Sequence, residues 1–263
     1  ERMGQEVARL EEKTVSIKKE VDDLSRRLYE EYELTRMEAE AVAKPIEDVP
    51  AANRRVTELT DAALLEAAGA DLVLMPSVEE IYPEPDTRQF DFGEVDKVME
   101  GATRPGHFNG VAQVVSRLFD MVKPARAYFG EKDFQQIAVI KAMVAQLGLE
   151  VEIVECPIIR AEDGLALSSR NELLTPEHRA IAPAIYRTLQ AAVEKSHTLT
   201  PAELKAWVEA EINRTELLKA IYYQSVDALT MQEVEAWSDS ERIQGCIAVQ
   251  AGEIRLIDNI RIR

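Results

Sequence analysis

The chain opens with a repeating pattern of apolar positions. Apolar or near-apolar residues recur in alternating steps of four and three, and Glu, Lys and Arg fill most of the positions between them. The repeat consists of Met3, Val7, Leu10, Thr14, Ile17, Val21, Leu24 and Leu28. This two-in-seven stripe is typical of a coiled coil and is narrower than the face of most core-facing helices. It predicts a coiled-coil or helical segment over residues 1–60, with a single amphipathic helix packed on a domain as the alternative.

The pattern and the charge density both change near residue 60. Of the first 60 residues 26 are charged, against 53 of the remaining 203. Pro45 and Pro50 interrupt any continuous helix just before this change. From Asp61 onward, short apolar runs alternate with helical patterns, which predicts a doubly wound, Rossmann-like parallel sheet of the α/β class. The predicted helices are 62–68 (with Gly69 as its stop signal), 111–122 and 134–147, and the predicted strands are 71–76, 126–129 and 151–159.

The pattern of the last third of the chain predicts a smaller α+β domain. Thr175 is a good N-cap residue, and Pro176 suits the first position of a helix. We expect helices at 176–195 and 201–219, and strands near 222–227, 246–250 and 254–257. The predicted division is therefore a helical segment over residues 1–60, a Rossmann-like domain over 61–174 and an α+β domain over 175–263.

Composition narrows the possible partners and the compartment. The formal net charge is −17, from 31 Lys and Arg against 48 Asp and Glu, which argues against a general nucleic-acid or anionic-membrane binder. The sequence has no run of 18 or more apolar residues. Its two cysteines, Cys156 and Cys246, exclude a disulfide framework. We expect a cytoplasmic protein with no nucleic-acid partner and no membrane segment.

Residues 101–110, GATRPGHFNG, form the first candidate motif. Three glycines, a proline and a basic residue within ten positions predict a loop. Its backbone N–H groups and Arg104 could bind phosphate. We interpret His107 as a structural histidine rather than a catalytic one, because a lone histidine carries little information.

Residues 129–136, FGEKDFQQ, form the second motif, on the turn between a predicted strand and a predicted helix. Ligands of open α/β sheets bind at the carboxyl ends of the strands. Lys132 would supply positive charge to a phosphate there, and the helix N-terminus would add its dipole. Taken alone, the motif favours a solvated turn in which Glu131 and Lys132 face water and Asp133 caps the helix.

Residues 163–171, DGLALSSRN, form the third motif. It places two hydroxyls, an arginine and an amide in one short stretch. These groups suit a triphosphate, although similar clusters occur in ordinary turns.

In this order and spacing, the three motifs resemble those of the pantothenate synthetase (pantoate–β-alanine ligase) family. The resemblance runs from about Asp61 to Arg263 and includes VEEIYP at 78–83, EGATRPGHFNGVAQVV at 100–115, AYFGEKDFQQ at 127–136, RAEDGLALSSRNELLT at 160–175 and RLIDNIRI at 255–262. It implies a nucleotidyltransferase-like Rossmann fold. It also implies that ATP and pantoate form pantoyl-adenylate, which β-alanine attacks to give pantothenate and AMP.

The resemblance also implies roles for the residues that match the family's motifs. Lys132 would neutralise charge on the α-phosphate, Arg104 would close over the phosphates, and Gln136 would hydrogen-bond pantoate. The ATP-binding set would be Gly130, Glu131, Lys132, Asp133, Ile159, Leu167, Ser168, Ser169 and Arg170. Mg²⁺ would accompany ATP without a metal site built by the protein. As a partner, we expect a second copy of the chain or a coiled-coil helix.

The chain departs from the family pattern near its start. Family members open with a strand and a PTMGALHxGH loop, whose two histidines bind and activate ATP, and a second strand ends in FVNPxQF. Neither motif occurs here, where the histidines are His107, His178 and His197. Residues 1–60 resemble instead the coiled-coil arm of bacterial structural-maintenance-of-chromosomes proteins, chiefly through YEEYELTRMEAEAVAKPIEDVPAANRRVTEL at 29–59.

Two functional hypotheses follow from this combination. In the first, the chain is a member of the ligase family with an incomplete Rossmann-like sheet, an incomplete active site and little activity of its own. In the second, it is a coiled-coil interaction protein, or a chimeric fusion, that carries an inactive ligase fragment. The absent strands would leave the edges of the remaining strands unpaired in either case.

Overall fold

The computed structural model describes residues 65–263. The chain divides into two units, residues 1–75 and residues 76–263, and only residues 65–75 of the first unit are described. The coiled-coil segment predicted for residues 1–60 lies outside the described residues. The boundary predicted near residue 60 stays a prediction.

The described end of the first unit contains a short helix and its stop signal. Residues 65–67 are helical, and Gly69 follows them with a φ of +87°. The N–H groups of Gly69 and Ala70 donate back to carbonyls of the helix, each at 2.9 Å. This pair of bonds is a Schellman motif, which favours glycine because glycine has no Cβ. The predicted helix end at Gly69 is confirmed.

Residues 76–263 contain seven helices and five strands, numbered here in chain order. The helices are α1 (Val78–Ile81), α2 (Met99–Thr103), α3 (His107–Val122), α4 (Phe134–Leu147), α5 (Pro176–Ile181), α6 (Ala184–Lys195) and α7 (Pro201–Arg214). The strands are β1 (Arg126–Gly130), β2 (Glu152–Cys156), β3 (Leu218–Asp227), β4 (Ile243–Ala251) and β5 (Ile254–Arg261). Short 3₁₀ turns cover Glu131–Asp133 and Ser169–Leu173.

Strands β1 and β2 form a parallel pair, in which Gly130 lies opposite Cys156. Parallel neighbours need a crossover, and α4 provides it. β2 ends before Pro157, which has no N–H to donate, and is therefore shorter than the strand predicted at 151–159. The core of this region is formed by apolar residues of α3 and α4 together with Phe92: Phe108, Ala112, Phe119, Val139, Ile140 and Met143.

Within residues 65–263, the parallel sheet is smaller than predicted. Residues 71–76, which we predicted as a strand, join no sheet among the residues described. An apolar run becomes a strand only where a neighbour pairs its backbone N–H and C=O groups. Within residues 65–263, β1 and β2 pair with each other alone, so the prediction at 71–76 was wrong.

The C-terminal region has the predicted α+β character. β3, β4 and β5 form an antiparallel sheet in that order. The helix predicted at 176–195 is two helices, because Pro183 lacks an N–H and interrupts it. The helix predicted at 201–219 ends at Arg214, and the left-handed Leu217 (φ +69°) leads into β3. The core of the C-terminal region includes Ile185, Leu189, Leu204, Val208, Ile212, Tyr223 and Ile247.

A third apolar cluster connects these two regions. Met99 and Phe134 pack with Val226, Met231 and Cys246. Residues 76–263 accordingly form a single unit, and the boundary predicted near residue 174 stays a prediction. None of the helices that the structure describes is both long enough and apolar enough to cross a bilayer.

Candidate active site

A cavity of about 260 Å³ lies where the turn after β1, the start of α3 and strand β5 meet. It brings together residues from all three candidate motifs. The predicted site residues that line it are Arg104, Lys132, Asp133, Gln136, Ser168, Ser169 and Arg170. Segments that are far apart in the sequence thus supply cations and hydroxyls to one cavity.

The 3₁₀ turn Glu131–Asp133 places Lys132 at the carboxyl end of β1 and directly before α4. Only 18% of the Lys132 side chain is exposed. In the described part of the chain, its ammonium has one acidic neighbour, the carboxylate of Asp133 at 3.8 Å. A sheltered cation at the start of a helix is well placed to attract an anion.

The glycine-rich motif is not the continuous loop that we predicted. Gly101 belongs to α2, and α3 already begins at His107, so the connecting turn is residues 104–106. A Cβ at position 101 would overlap the backbone carbonyl of Asp96, so this glycine permits a close approach rather than a flexible loop. Most N–H groups of the motif belong to helices, and the residues of the motif that line the cavity are Arg104, His107 and Phe108.

Arg104 is held by two neighbours. Its Nη1 donates to Nε2 of His107 at 3.0 Å and lies 3.8 Å from Oε2 of Glu100. Because the guanidinium can only donate, Nε2 must accept and the imidazole is neutral in this geometry. Burial and the nearby Arg104 charge lower the pKa of His107. The geometry agrees with a structural role for His107, which orients Arg104.

Glu100 is a buried carboxylate at the wall of the cavity. It accepts hydrogen bonds from the Tyr222 hydroxyl at 3.0 Å and from the guanidinium of Arg255. Its backbone N–H donates to Oε1 of Gln135 at 3.0 Å. Burial and then the Glu100 charge raise the pKa of Tyr222, so this phenol keeps its proton and acts as a donor. Glu100 therefore links α2 to the C-terminal sheet.

The third motif forms a hairpin followed by a 3₁₀ turn. Arg160 and Ala166 make an isolated antiparallel bridge. The Ser168 hydroxyl then accepts the N–H of Arg170 at 3.3 Å, which caps the turn. The Arg170 guanidinium reaches the carbonyl of Arg255 in β5 at 3.4 Å. The hairpin thus directs the two serines and Arg170 to the cavity.

Four of the predicted ATP-binding residues do not line the cavity. Gly130 ends β1, and Glu131 lies 3.9 Å from Arg242. The side chains of Ile159 and Leu167 are 68% and 53% exposed on the hairpin. The contact of these four residues with ATP stays a prediction.

Several cavity residues were not predicted as site residues. They are Glu100, His107, Gln135, Tyr222, Asp258 and Asn259. The one signal for Asp258 and Asn259 was their position as adjacent polar residues within an apolar strand. Buried polar groups are uncommon and require hydrogen-bond partners. Nothing in the local pattern marked Tyr222.

The cavity combines positive charge with few free carboxylates. Of its acidic groups, Glu100 is bonded to Arg255, and Asp258 is bonded to Arg160. Asp133 has no such arginine partner among the described residues. Cys246 also lines the cavity, but burial raises the pKa of its thiol to about 12, so the thiol stays neutral. The arrangement fits an anionic small molecule.

These features define an α/β protein with a cation-rich cavity at the carboxyl end of a parallel strand. The family model described as Pantoate-beta-alanine ligase matches residues 43–261, and the chain belongs to this family. The match begins before the boundary that we predicted near Asp61. It therefore overlaps the segment that we compared with a chromosome-maintenance arm.

Curated relatives carry the name pantothenate synthetase. The chain is 58% identical over 205 residues to the enzyme of Porphyromonas gingivalis, a match that covers 78% of this chain and 73% of the relative. It is 53% identical over 203 residues to the enzyme of Bacteroides fragilis, covering 77% and 72%. These matches support pantothenate synthetase function, in a family of ligases.

Solved structures share the fold. The pantothenate synthetase of Thermus thermophilus superposes with a TM-score of 0.73 at 45% identity, covering 77% of this chain and 74% of that one. The pantoate-beta-alanine ligase of Francisella tularensis, complexed with beta-gamma ATP and beta-alanine, superposes with a TM-score of 0.62 at 31% identity. This match covers 78% of this chain and 69% of that one. The mixed α/β arrangement with a parallel and an antiparallel sheet is thus the fold of these enzymes.

Proposed function

We propose that the cavity catalyses the ATP-dependent condensation of pantoate with β-alanine through an enzyme-bound pantoyl-adenylate, with AMP and pyrophosphate as products. One observation carries the proposal. Lys132, Arg104 and Arg170 come from three separate motifs and line the same cavity. Adenylation mainly requires charge stabilisation and in-line positioning, and this set of cations and hydroxyls provides both.

In the first step, a carboxylate oxygen of pantoate attacks the α-phosphorus of ATP. The bond to pyrophosphate breaks, and negative charge increases on the phosphate oxygens. Lys132 neutralises charge on the α-phosphate, while Arg104 and Arg170 bind the phosphates that leave. The hydroxyls of Ser168 and Ser169 donate to phosphate oxygens. Such preorganised donors stabilise the transition state more than the ground state.

In the second step, the amine of β-alanine attacks the acyl carbon of the adenylate. The amide bond forms, the amine loses a proton, and AMP leaves. Gln136 hydrogen-bonds pantoate and keeps its carboxyl group at the reacting position. The Francisella tularensis relative with bound beta-gamma ATP and beta-alanine supports these two substrates for this chain.

Mg²⁺ fits this cavity as an ion that arrives with ATP. Among residues 65–263, no group of three or more His, Cys, Asp and Glu side chains is placed to hold a metal ion. Mg²⁺ is usually held by one or two carboxylates together with substrate phosphates. Asp133 would be that carboxylate, since Glu100 and Asp258 are occupied by arginines. The ion would reduce repulsion between the phosphates and the incoming carboxylate.

These 263 residues contain no HxGH motif, and the resemblance implies that its two histidines activate ATP. We therefore propose that these 263 residues alone make little pantothenate, whereas their phosphate-binding residues are competent. A homodimer, a coiled-coil partner and a cytoplasmic location stay predictions.

The test is a chimera in which the opening segment of a complete pantothenate synthetase replaces residues 1–42 and joins at the start of the family match. Formation of pantothenate and AMP is measured for the chimera and for the unmodified chain. We expect activity in the chimera alone, and a loss of about 10²–10³ in kcat on Lys132→Ala. Turnover by the unmodified chain would refute the low-activity proposal. A folded but inactive chimera would refute the assigned roles.

A further inference from the structure

Asn259 links the C-terminal sheet to the turn that carries Lys132. It lies in β5, and only 3% of it is exposed. Its Nδ2 donates to the backbone carbonyls of both Glu131 and Lys132, at 2.9 and 3.0 Å. Both donor hydrogens of one planar amide are therefore used to hold a single short turn.

The other end of the Asn259 amide is also held. Its Oδ1 accepts a hydrogen bond from Nε2 of the buried Gln244 in the neighbouring strand β4, at 2.7 Å. Because Gln244 occupies the oxygen, the amide nitrogen must face the turn, so the hydrogen-bond network determines the orientation of the side chain.

The backbone around Asn259 is supported by an ion pair. Its N–H donates to Oδ1 of Asp258 at 2.8 Å. Asp258 in turn receives both ends of the Arg160 guanidinium, at 2.7 and 2.9 Å. That guanidinium stacks on the ring of Tyr186 at 3.6 Å. A bidentate arginine pair of this kind restricts orientation as well as supplying attraction.

We propose that Asn259 is a positioning residue that acts through Lys132. By holding the two carbonyls of the turn, it directs the Lys132 side chain into the cavity and prevents the turn from rotating when an anion binds. Among the described residues, the one acidic group within 4 Å of the Lys132 ammonium belongs to the adjacent Asp133. No ion pair to another described element therefore fixes this side chain, and the backbone of the turn sets the direction in which it leaves. This proposal rests on the proposed function, because it assumes that Lys132 binds phosphate.

The test uses the full chain and two measurements. The dissociation constant of β,γ-methylene-ATP is measured for the parent chain, Asn259→Ala, Lys132→Ala and the double variant. Hydrogen exchange of the amides at residues 131–134 is measured in the same proteins. Asn259→Asp is a second variant, because its carboxylate still accepts from Gln244 but donates nothing to the turn. Asn213→Ala is the matched control. Asn213 lies near the end of α7, and its side-chain oxygen accepts a hydrogen bond from the N–H of Ala220 in β3.

We expect Asn259→Ala to weaken binding of the analogue about tenfold and to speed exchange in the turn. In the Lys132→Ala background, the further loss should be less than about twofold, because residues that act through one another are not additive. Asn213→Ala should change neither measurement. If Asn259→Ala does not fold, Asn259→Asp supplies both results.

Additive losses in the cycle, or unchanged exchange at residues 131–134 in Asn259→Asp, would overturn the proposal. If the parent chain binds no analogue, the part of the proposed function that fails instead is the claim that its phosphate-binding residues are competent without the HxGH motif. The exchange measurement then still decides whether Asn259 holds the turn.

Discussion

Glu100 and its neighbours determine which cations of the cavity remain available to a ligand. Its carboxylate is bonded to Arg255 and Tyr222, and it lies near Arg104 at 3.8 Å. A buried carboxylate needs such partners, since its desolvation is costly. Arg104 keeps 39% of its side chain exposed despite these contacts. Arg104 is therefore oriented by its neighbours and still accessible to phosphate.

The neutral state of His107 can be tested by titration. Its pKa should lie below the ordinary value of 6.5, chiefly through burial and the Arg104 charge, with Glu100 acting in the opposite direction. Arg104→Gln should raise the pKa and Glu100→Gln should lower it. NMR titration of the imidazole signals, assigned with His107→Asn, measures both shifts. A pKa that falls in Arg104→Gln would contradict this electrostatic account.

The residues that could be predicted from the sequence are those that lie within short motifs. Lys132 and Asp133 follow a strand at a position where ligands bind, and Ser168–Arg170 form a dense polar cluster. Glu100 and Tyr222 could not be found in this way, because 122 positions separate them in the sequence and only the tertiary fold joins them. His107 was interpreted as structural, which its bond to Arg104 supports.

At the scale of single elements, one face of α3 holds the preceding segment. Asn109, Gln113 and Arg117 are spaced by four, so they lie on the same side of the helix. They bond the chain around Asp86 and Arg88. The motif pattern suggested that Asn109 belonged to a phosphate loop, whereas the structure places it inside a helix.

Asp86 should make stability depend on acidity. Hydrogen bonds from Arg88, and further from Arg117, lower the pKa of its carboxyl below the ordinary 3.8. The ionised Asp86 carboxylate therefore contributes fully to the free energy of unfolding above the unfolded-state pKa. This contribution is lost as the pH falls below about 4. Asp86→Asn should lower the free energy of unfolding by about 2 kcal/mol at pH 7.

Urea unfolding at pH 7 and at pH 3 measures this effect. The difference between the parent chain and Asp86→Asn should be smaller at the lower pH. An equal difference at both values would show that the charge of Asp86 does not matter.

Replacing either of the two glycines at the ends of the first motif by alanine should change the stability of the protein, in opposite directions for the two positions. A Cβ at Gly101 would overlap the carbonyl of Asp96, whereas nothing lies within 4 Å of one at Gly110 in α3. Gly101→Ala should cost about 1–3 kcal/mol through overpacking. Gly110→Ala should be neutral or stabilise by up to about 1 kcal/mol, because alanine favours helices. Thermal unfolding of the pair tests this, and equal effects would contradict it.

At the scale of the whole molecule, residues 76–263 have two principal cores and a smaller cluster between them. The cores belong to the α3–α4 region and to the C-terminal sheet. Met99 and Phe134 connect them through Val226, Met231 and Cys246. The cavity lies beside this cluster, so its geometry depends on both regions.

A polypeptide of residues 174–263 should fold without the rest of the chain. Nearly all of its core comes from α6, α7 and the antiparallel sheet. It should be less stable than the full chain, since it loses the shared cluster and the Arg160–Asp258 pair. Denaturant unfolding followed by circular dichroism is the measurement, and the absence of a cooperative transition would refute independent folding.

The architecture could be predicted where local signals and packing agree. The helix Phe134–Leu147 has the predicted bounds, and Gly148 ends it with a left-handed φ of +62°. The pattern failed where tertiary pairing decides, as at residues 71–76, and where a proline interrupts a continuous apolar face, as at Pro183. The sheet of β3, β4 and β5 was predicted too short, because its ends are extended by pairing between strands.

Exchange of labelled pyrophosphate into ATP by the chimera joined at residue 43 tests the central claim most directly, since it follows adenylate formation alone. The account predicts exchange that requires pantoate, does not require β-alanine and is lost in Lys132→Ala. Pantothenate formation without any exchange, with ADP and inorganic phosphate as products, would contradict it, because the pantoate carboxylate would then be phosphorylated rather than adenylated.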